Sequence, residues 1–266
     1  MYIEVIMSTM YRENINELMI ENKNIKGNLL IINQTNNKKQ YKLNNIRMIN
    51  YSERGLSKSR NRAIENSKAD ICLIADDDII YKKDYIEIIQ DLFNKNPNID
   101  VITLRVDTPE GIPFKKYRKK SFIHNKFTIF KVSSISIAFR RNSILENNIK
   151  FDESFGLGAQ FATGEEAIFL NDCISKGLRV KYEPISLVIH PFISSGKIFN
   201  ENQLFAKGAL MARLFGNGCY IINLIFALKK YKFYRNKYSI LKAYKLLNNG
   251  SINYFKSIKV KNNKEM

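Results

Sequence analysis

Apolar positions in the first two thirds of the chain fall in short continuous or alternating runs, separated by segments with a helical period. That alternation predicts an α/β fold, a mainly parallel central sheet flanked by helices. Ile3–Ser8, Asn28–Asn33, Ile46–Tyr51, Ile71–Ala75 and Val101–Val106 predict strands, and Asn14–Glu21, Leu56–Asn66 and Asp84–Phe93 predict helices. The last of these puts Tyr85, Ile88, Ile89 and Leu92 on one face. After Val106 comes a polar, basic loop containing proline. The apolar pattern resumes over Phe127–Phe139, followed by a helix from about Glu165 to Lys176 and strand candidates at Arg179–Tyr182 and Leu187–His190. From about Phe199 onward, apolar and aromatic residues mix with Lys and Arg without a strand signal. The chain therefore divides into a body, 1–195, and a basic, amphipathic C-terminal helical region, 196–266.

With 266 residues, 45% of them hydrophobic, the chain can fill a sizeable core. Cys72, Cys173 and Cys219 are odd in number and far apart in apolar surroundings, which suggests neither a disulfide framework nor a zinc cluster and points to a reducing compartment. Met1–Met10 lacks the basic start and apolar run of a signal peptide, so the body is expected to stay in the cytoplasm. The formal charge is +18, and from Lys197 onward 14 Lys or Arg face 2 Glu, placing +12 in the last quarter. A second basic cluster covers Phe114–Lys126. Such patches either are solvated surface or attract polyanions: nucleic acid, acidic lipid headgroups or diphosphates. Within the tail, Cys219–Leu228 would span only ~15 Å as a helix, half of a ~30 Å hydrocarbon core. The tail is thus expected either to lie at an anionic membrane surface, making the protein peripheral at the inner face of the membrane, or to pack on the body as a bundle.

The run "ICLIADDDII", Ile71–Ile80, sets three carboxylates at the end of a predicted strand, where sheets of this kind bind ligands. Adjacent carboxylates repel unless a cation holds them. Mg²⁺ or Mn²⁺ answers that need, taking one or two carboxylates and completing its shell with water and substrate phosphate. Alone, the run is equally a turn with a helix-capping Asp. "TGEEA", Thr163–Ala167, can likewise be a capping box or can supply a catalytic carboxylate, and His190 ending an apolar strand can be packed or can be a ligand.

Taken together, "GLSKSRNRAI" (55–64), "ADDDI" (75–79), "GLGAQFATGEEAIFLNDCISKG" (156–177) and "LVIHP" (187–191) resemble a family 2 glycosyltransferase of the kind that assembles bacterial surface polysaccharide (capsule, exopolysaccharide or lipopolysaccharide), with the glycosyltransferase-A fold. The resemblance covers roughly Ile3 to Pro191 and implies residue roles. Asp76 would approach the donor ribose and Asp78 would bind Mn²⁺ or Mg²⁺ at the diphosphate, with Asp77 between them assisting either. Arg60 and Asn61 would shape the nucleotide pocket. Thr9 and Gln34 would line the base pocket, with Gln34 standing where the family usually has aspartate. Glu166, with Glu165 beside it, would be the general base on the acceptor hydroxyl, and His190 would ligate the metal or contact the diphosphate. The implied activity is inverting transfer from a nucleotide sugar, expected to be a UDP-sugar, to a saccharide or a polyprenyl-diphosphate-linked acceptor.

Neither "GLSKSR" nor "GLGAQF" has the spacing of a P-loop or a dinucleotide fingerprint. With two histidines and no nucleophile motif, a Ser-His-Asp site is not supported, and His124 has no assigned role. Two other readings compete: a non-enzymatic nucleic-acid binder, which leaves "ADDDI" and "GEEAI" unexplained, and a nucleotidyltransferase, which lacks a glycine-rich triphosphate loop. The glycosyltransferase reading expects no nucleic-acid partner.

Overall fold

The computed structural model describes residues 1–37, 39–191 and 199–262. Its centre is a ten-stranded sheet. Strands β1 (Ile3–Met10), β2 (Asn28–Gln34), β4 (Ile46–Tyr51) and β5 (Ile71–Asp76) run parallel in the order β4-β2-β1-β5. Beyond β5 lies β9 (Ile137–Arg140), antiparallel to both its neighbours, then β7 (Val101–Asp107) and, parallel to β7, β10 (Val180–Ile189). Three short antiparallel strands, β3 (Tyr41–Leu43), β6 (Ile80–Tyr81) and β8 (Phe122–Ile123), complete it.

Side chains alternate across this sheet, so each strand feeds two cores. Val5, Met7, Leu29 and Ile31 face a layer closed by helix α2 (Tyr85–Lys95) through Ile89, Leu92 and Phe93. Ile6, Leu30 and Ile32 face the opposite layer, closed by α1 (Leu56–Asn66) and α4 (Glu165–Ser175) through Ala63, Ile64, Phe169 and Leu170. A short α3 (Arg141–Glu146) follows β9. Because both faces are covered, the central strands are mostly apolar, and the buried Glu4 of β1 is paired with Arg47.

The five expected strands and the α1, α2 and α4 helices form where the pattern places them. Asn14–Glu21 does not form a helix. Two 3₁₀ turns, Ile15–Leu18 and Ile20–Lys23, take its place, separated by Met19 at φ 46° and ended by Asn24 at φ 54°. The segment is too short to repay α-helix nucleation, and Asn14 and Glu17 close a capping box around a single turn. The two strand candidates near residues 179–190 are one strand, β10, whose pairing with β7 shifts between Tyr182 and Ser186, around Pro184, which has no N–H to give the ladder.

The C-terminal region is helical: α5 (Glu201–Phe215), α6 (Cys219–Tyr234) and α7 (Ile240–Asn262). By length and composition alone Glu201–Tyr234 would suffice to cross a membrane, with mean hydropathy 1.4. Gly216, at φ 54°, breaks it into helices of 15 and 16 residues. Helix α5 also packs on the body: Ala209, Leu210 and Met211 share a core with Phe155, Phe161 and Ile168. Helices α5 and α7 cross almost backbone to backbone. A Cβ on Gly208 would lie 1.7 Å from the Leu247 carbonyl oxygen, and one on Gly250 would lie 1.9 Å from that of Phe205. Ser251 Oγ donates to the Gly208 carbonyl (2.8 Å) and accepts from Asn223 Nδ2 of α6 (3.0 Å), tying the three helices together. Gly208→Ala is therefore expected to push α5 and α7 apart and to destabilise the protein by at least about 1–3 kcal/mol, the usual range for an overpacked core. Thermal unfolding measures this; an unchanged melting temperature would contradict the close crossing.

Candidate active site

The carboxyl ends of β1, β2 and β5, the start of α1, the start of α4 and the end of β10 surround one cleft of about 450 Å³. Thr9, Gln34, Arg60, Asp76, Asp77, Asp78, Glu165, Glu166 and His190 all line it. Asn61 does not. Its side chain turns away and clamps the 151–153 segment, donating to the Phe151 carbonyl (3.0 Å) and Glu153 Oε1 (3.2 Å) and accepting from the Phe151 N–H (2.8 Å).

Arg60 is the joint of the site. It is 1% exposed, and its guanidinium donates to Glu165 Oε1 at 3.0 Å and to Asp76 Oδ1 at 3.2 Å, over the ring of Phe151. Burial alone would make its charge easier to lose. Asp76, Glu165 and Glu166 outweigh that and raise its pKa above the ordinary value, so it stays a cation.

The three aspartates point in different directions, and each has its own environment. Asp76, the last residue of β5, meets Arg60. Asp77 accepts from Thr9 Oγ1 (2.6 Å) and Arg12 Nη2 (3.0 Å), while Lys23 Nζ donates to its backbone carbonyl (2.5 Å). Asp78 faces His190, with Oδ2 3.4 Å from Nε2. Arg12 and Lys23 had no sequence signal, because their partner lies more than fifty positions away along the chain.

His190 is oriented by its other nitrogen. Nδ1 lies 2.6 Å from the Pro191 carbonyl oxygen, which can only accept, so Nδ1 carries the proton and Nε2 is left facing the Asp78 carboxylate. Phe114 stands edge-on to the ring. A carboxylate oxygen opposite an imidazole lone pair requires a proton or a metal ion between them, and a backbone-anchored Nδ1–H is the usual support of a ligating histidine. Asp78 and His190 therefore fit a divalent cation as a partial shell. Among the described residues no group of three or more His, Cys, Asp or Glu forms a complete cage. Mg²⁺ and Mn²⁺ suit such a site, since substrate oxygens and water fill their remaining positions.

Glu165 and Glu166 open α4, whose N-cap is Gly164 at φ 105°, without a side-chain cap bond. Thr163 thus makes no capping box, and Glu166 is not held as a cap. A Cβ at Gly164 would meet the Leu210 side chain of α5 at 2.8 Å and force it to shift, and φ 105° disfavours any other residue there. Glu165 is fixed by Arg60, whereas Glu166 faces the cleft. Burial and the neighbouring Glu165 push the Glu166 carboxyl up to about 7, against the opposing pull of Arg60 and Lys115. Lys115, from the basic loop, donates to Ser133 Oγ on the cleft wall (2.8 Å). Gln203 of α5 also reaches the cleft, and its Oε1 is buried without a partner. Gln34 donates Nε2 to the Gly55 carbonyl (3.0 Å). The other histidine, His124, is buried away from the cleft between Thr103 and Thr128, and burial lowers it to about 4.

Comparison with known proteins agrees with this geometry. The profile of Glycosyl transferase family 2 matches residues 31–172, more than half of the chain. No curated protein matches the sequence. Among solved structures, the chain is similar to Staphylococcus aureus TarS, with TM-score 0.59 at 14% identity over 89% of this chain and 44% of that one. It thus spans less than half of that TarS chain. TarS 1-349 aligns over all of this chain and 92% of its own, with TM-score 0.61 at 11% identity. TarS 1-349 in complex with UDP-GlcNAc aligns over 89% and 74%, with TM-score 0.61 at 14% identity. At such identities the likeness shows a shared fold, the glycosyltransferase-A arrangement.

Because its pKa is raised, Glu166 also makes stability depend on pH. The folded state holds this proton more tightly than the unfolded chain does, so the contribution is fully present below about 4.5 and is lost as pH rises through about 7. Glu166→Gln removes the titration. The melting temperature of E166Q relative to the parent is expected to climb between pH 4.5 and pH 7 and to level off above, and a difference independent of pH would contradict the assigned environment.

Proposed function

The chain belongs to glycosyl transferase family 2, and from that membership we propose that it is an inverting, metal-dependent enzyme. It moves a sugar from a UDP-sugar to a hydroxyl of a saccharide or polyprenyl-diphosphate-linked saccharide in cell-surface polysaccharide assembly. The observation that carries this reading is the convergence of Asp76, Asp77 and Asp78, Glu165 and Glu166, and His190, from three distant stretches, on one cleft. The TarS complexes with UDP-GlcNAc and UDP, on the same fold, favour uridine as the carrier. Family membership replaces the non-enzymatic and nucleotidyl-transfer alternatives.

On this reading the nucleotide lies along the strand ends. Thr9 and Gln34 border the base; with Nε2 committed to Gly55, the carbonyl oxygen of Gln34 serves a base N–H. Asp76, steadied by Arg60, accepts from the ribose, and Asp77 is reserved by Thr9 and Arg12. Asp78 and His190 would hold Mn²⁺ or Mg²⁺. When bound there, the cation neutralises charge on the departing diphosphate. Glu166 takes the proton of the acceptor hydroxyl as its oxygen attacks the anomeric carbon from the face opposite the diphosphate. One C–O bond forms as the bond to the diphosphate oxygen breaks, inverting the configuration. A carboxyl near 7 suits this task, since a general base works best when its pKa lies close to the working pH.

Glu166→Gln is expected to lower kcat roughly 10²- to 10⁴-fold while leaving UDP affinity unchanged. In the parent enzyme kcat/KM should rise with pH to a plateau, with an apparent pKa near 7 that is absent from the residual activity of E166Q. Asp78→Ala should abolish transfer with the fold intact. Full turnover by D78A in the presence of Mn²⁺ would remove the metal assignment, and a product retaining the donor's anomeric configuration by NMR would remove the single displacement.

A further inference from the structure

Helix α6 is apolar on two opposite sides. Its inner side, Asn223, Ala227 and Tyr234, is buried in the bundle, with Asn223 bonded to Asn248 and Ser251 of α7. Ile221, Leu224, Ile225 and Leu228, spaced i, i+3, i+4, i+7, form a continuous stripe on the outer side and are 68%, 43%, 42% and 55% exposed. A helix apolar all round is normally buried all round, so the outer stripe lacks the cover its composition calls for.

What surrounds the stripe identifies the cover. Lys232, one turn beyond Leu228, extends the same line, and Lys229 flanks it; both are exposed. Exposed Phe233 follows, with Lys230 and Lys232 over its ring, and α7 adds exposed Leu241 and Lys245, whereas Lys242 is paired with Glu201 of α5 (2.7 Å). Helix α6 contains no acidic residue. A second protein copy would have to bury these ammonium groups against a chain of net charge +18, whereas a bilayer takes apolar side chains between its acyl chains and offers phosphate to the lysines around them.

We propose that the outer face of α6, Ile221, Leu224, Ile225 and Leu228 flanked by Lys229 and Lys232, is a docking surface for an anionic phospholipid bilayer. The helix lies in the plane of the headgroups while its inner side stays locked in the bundle. On this proposal the two expectations for the tail are compatible: the region packs on the body through α5, while α6 turns one side into the bundle and presents the other. The proposal stands apart from the donor chemistry, and its test does not depend on that chemistry.

Co-sedimentation of the full chain with vesicles of phosphatidylcholine, with and without phosphatidylglycerol, tests it. The parent protein should sediment with the anionic vesicles, remain in solution with the zwitterionic ones, and be released by salt. Leu224→Asp combined with Leu228→Asp should keep the protein in solution without changing its melting temperature or its UDP binding. Lys229→Ala with Lys232→Ala, which spares the apolar stripe, should weaken partitioning by about fivefold per lysine. Failure to sediment with phosphatidylglycerol vesicles, equal sedimentation with both vesicle types, sedimentation of the L224D/L228D variant, or a dimer that these two substitutions dissociate would each overturn the proposal.

Discussion

A single buried guanidinium holds this site together. Arg60 rises from α1 into the space between the end of β5 and the start of α4, and its two donors join Asp76 to Glu165. Removing one member of such a buried pair leaves a charge without a partner and costs on the order of 3–5 kcal/mol, so the three elements are fixed as a unit. Everything else in the cleft is arranged around that fixed point. With Glu165 occupied by Arg60, Glu166 is the carboxyl left facing the cleft; with Asp76 held back toward α1, Asp78 is the one that reaches His190.

The same constraint gives each carboxylate its own partners. Five carboxylates line one cleft of a strongly basic protein, and if all were equivalent they would repel one another and bind cations indiscriminately. Instead Asp76 and Glu165 share Arg60, Asp77 is closed off by Arg12 and Thr9, and Glu166, buried beside Glu165, keeps its proton to about 7. Groups of one chemical type thereby take different positions and partners, and Glu166 is pushed up toward the neutral pH at which a general base works. The C-terminal bundle contributes as well: Leu210 presses on Gly164 at the head of α4, and α5 sends Gln203 into the cleft.

Much of this was legible in the sequence because the sheet core and the acidic cluster both leave local patterns. Strand runs buried on two faces are unambiguous, and Leu56–Asn66 is bounded by the same residues in pattern and in structure. The motif residues, Asn61 excepted, meet in the cleft. Asn61 sits next to Arg60 in the sequence but on the other side of the helix, and a linear motif does not say which way each side chain points. The roles of Arg12, Lys23 and Lys115 were invisible for a different reason: each acts through a partner distant along the chain, and single basic residues carry no period, while Gln203 reaches the cleft only because α5 packs beside it. The tail's helices could be anticipated from composition. The crossing of Gly208 and Gly250, which decides how those helices pack, could not be, because it exists only once α5 and α7 meet.

The proposed function requires one nucleoside diphosphate to bind between Asp78, His190 and Glu166 in this cleft. The most direct test is a crystal structure of the protein with UDP and Mn²⁺, with the metal located by its anomalous scattering. The account predicts a single peak coordinated by Asp78 Oδ, His190 Nε2 and diphosphate oxygens, with Glu166 across the cleft from the phosphate. A nucleotide bound elsewhere, or a manganese peak with neither Asp78 nor His190 in its shell, would contradict it.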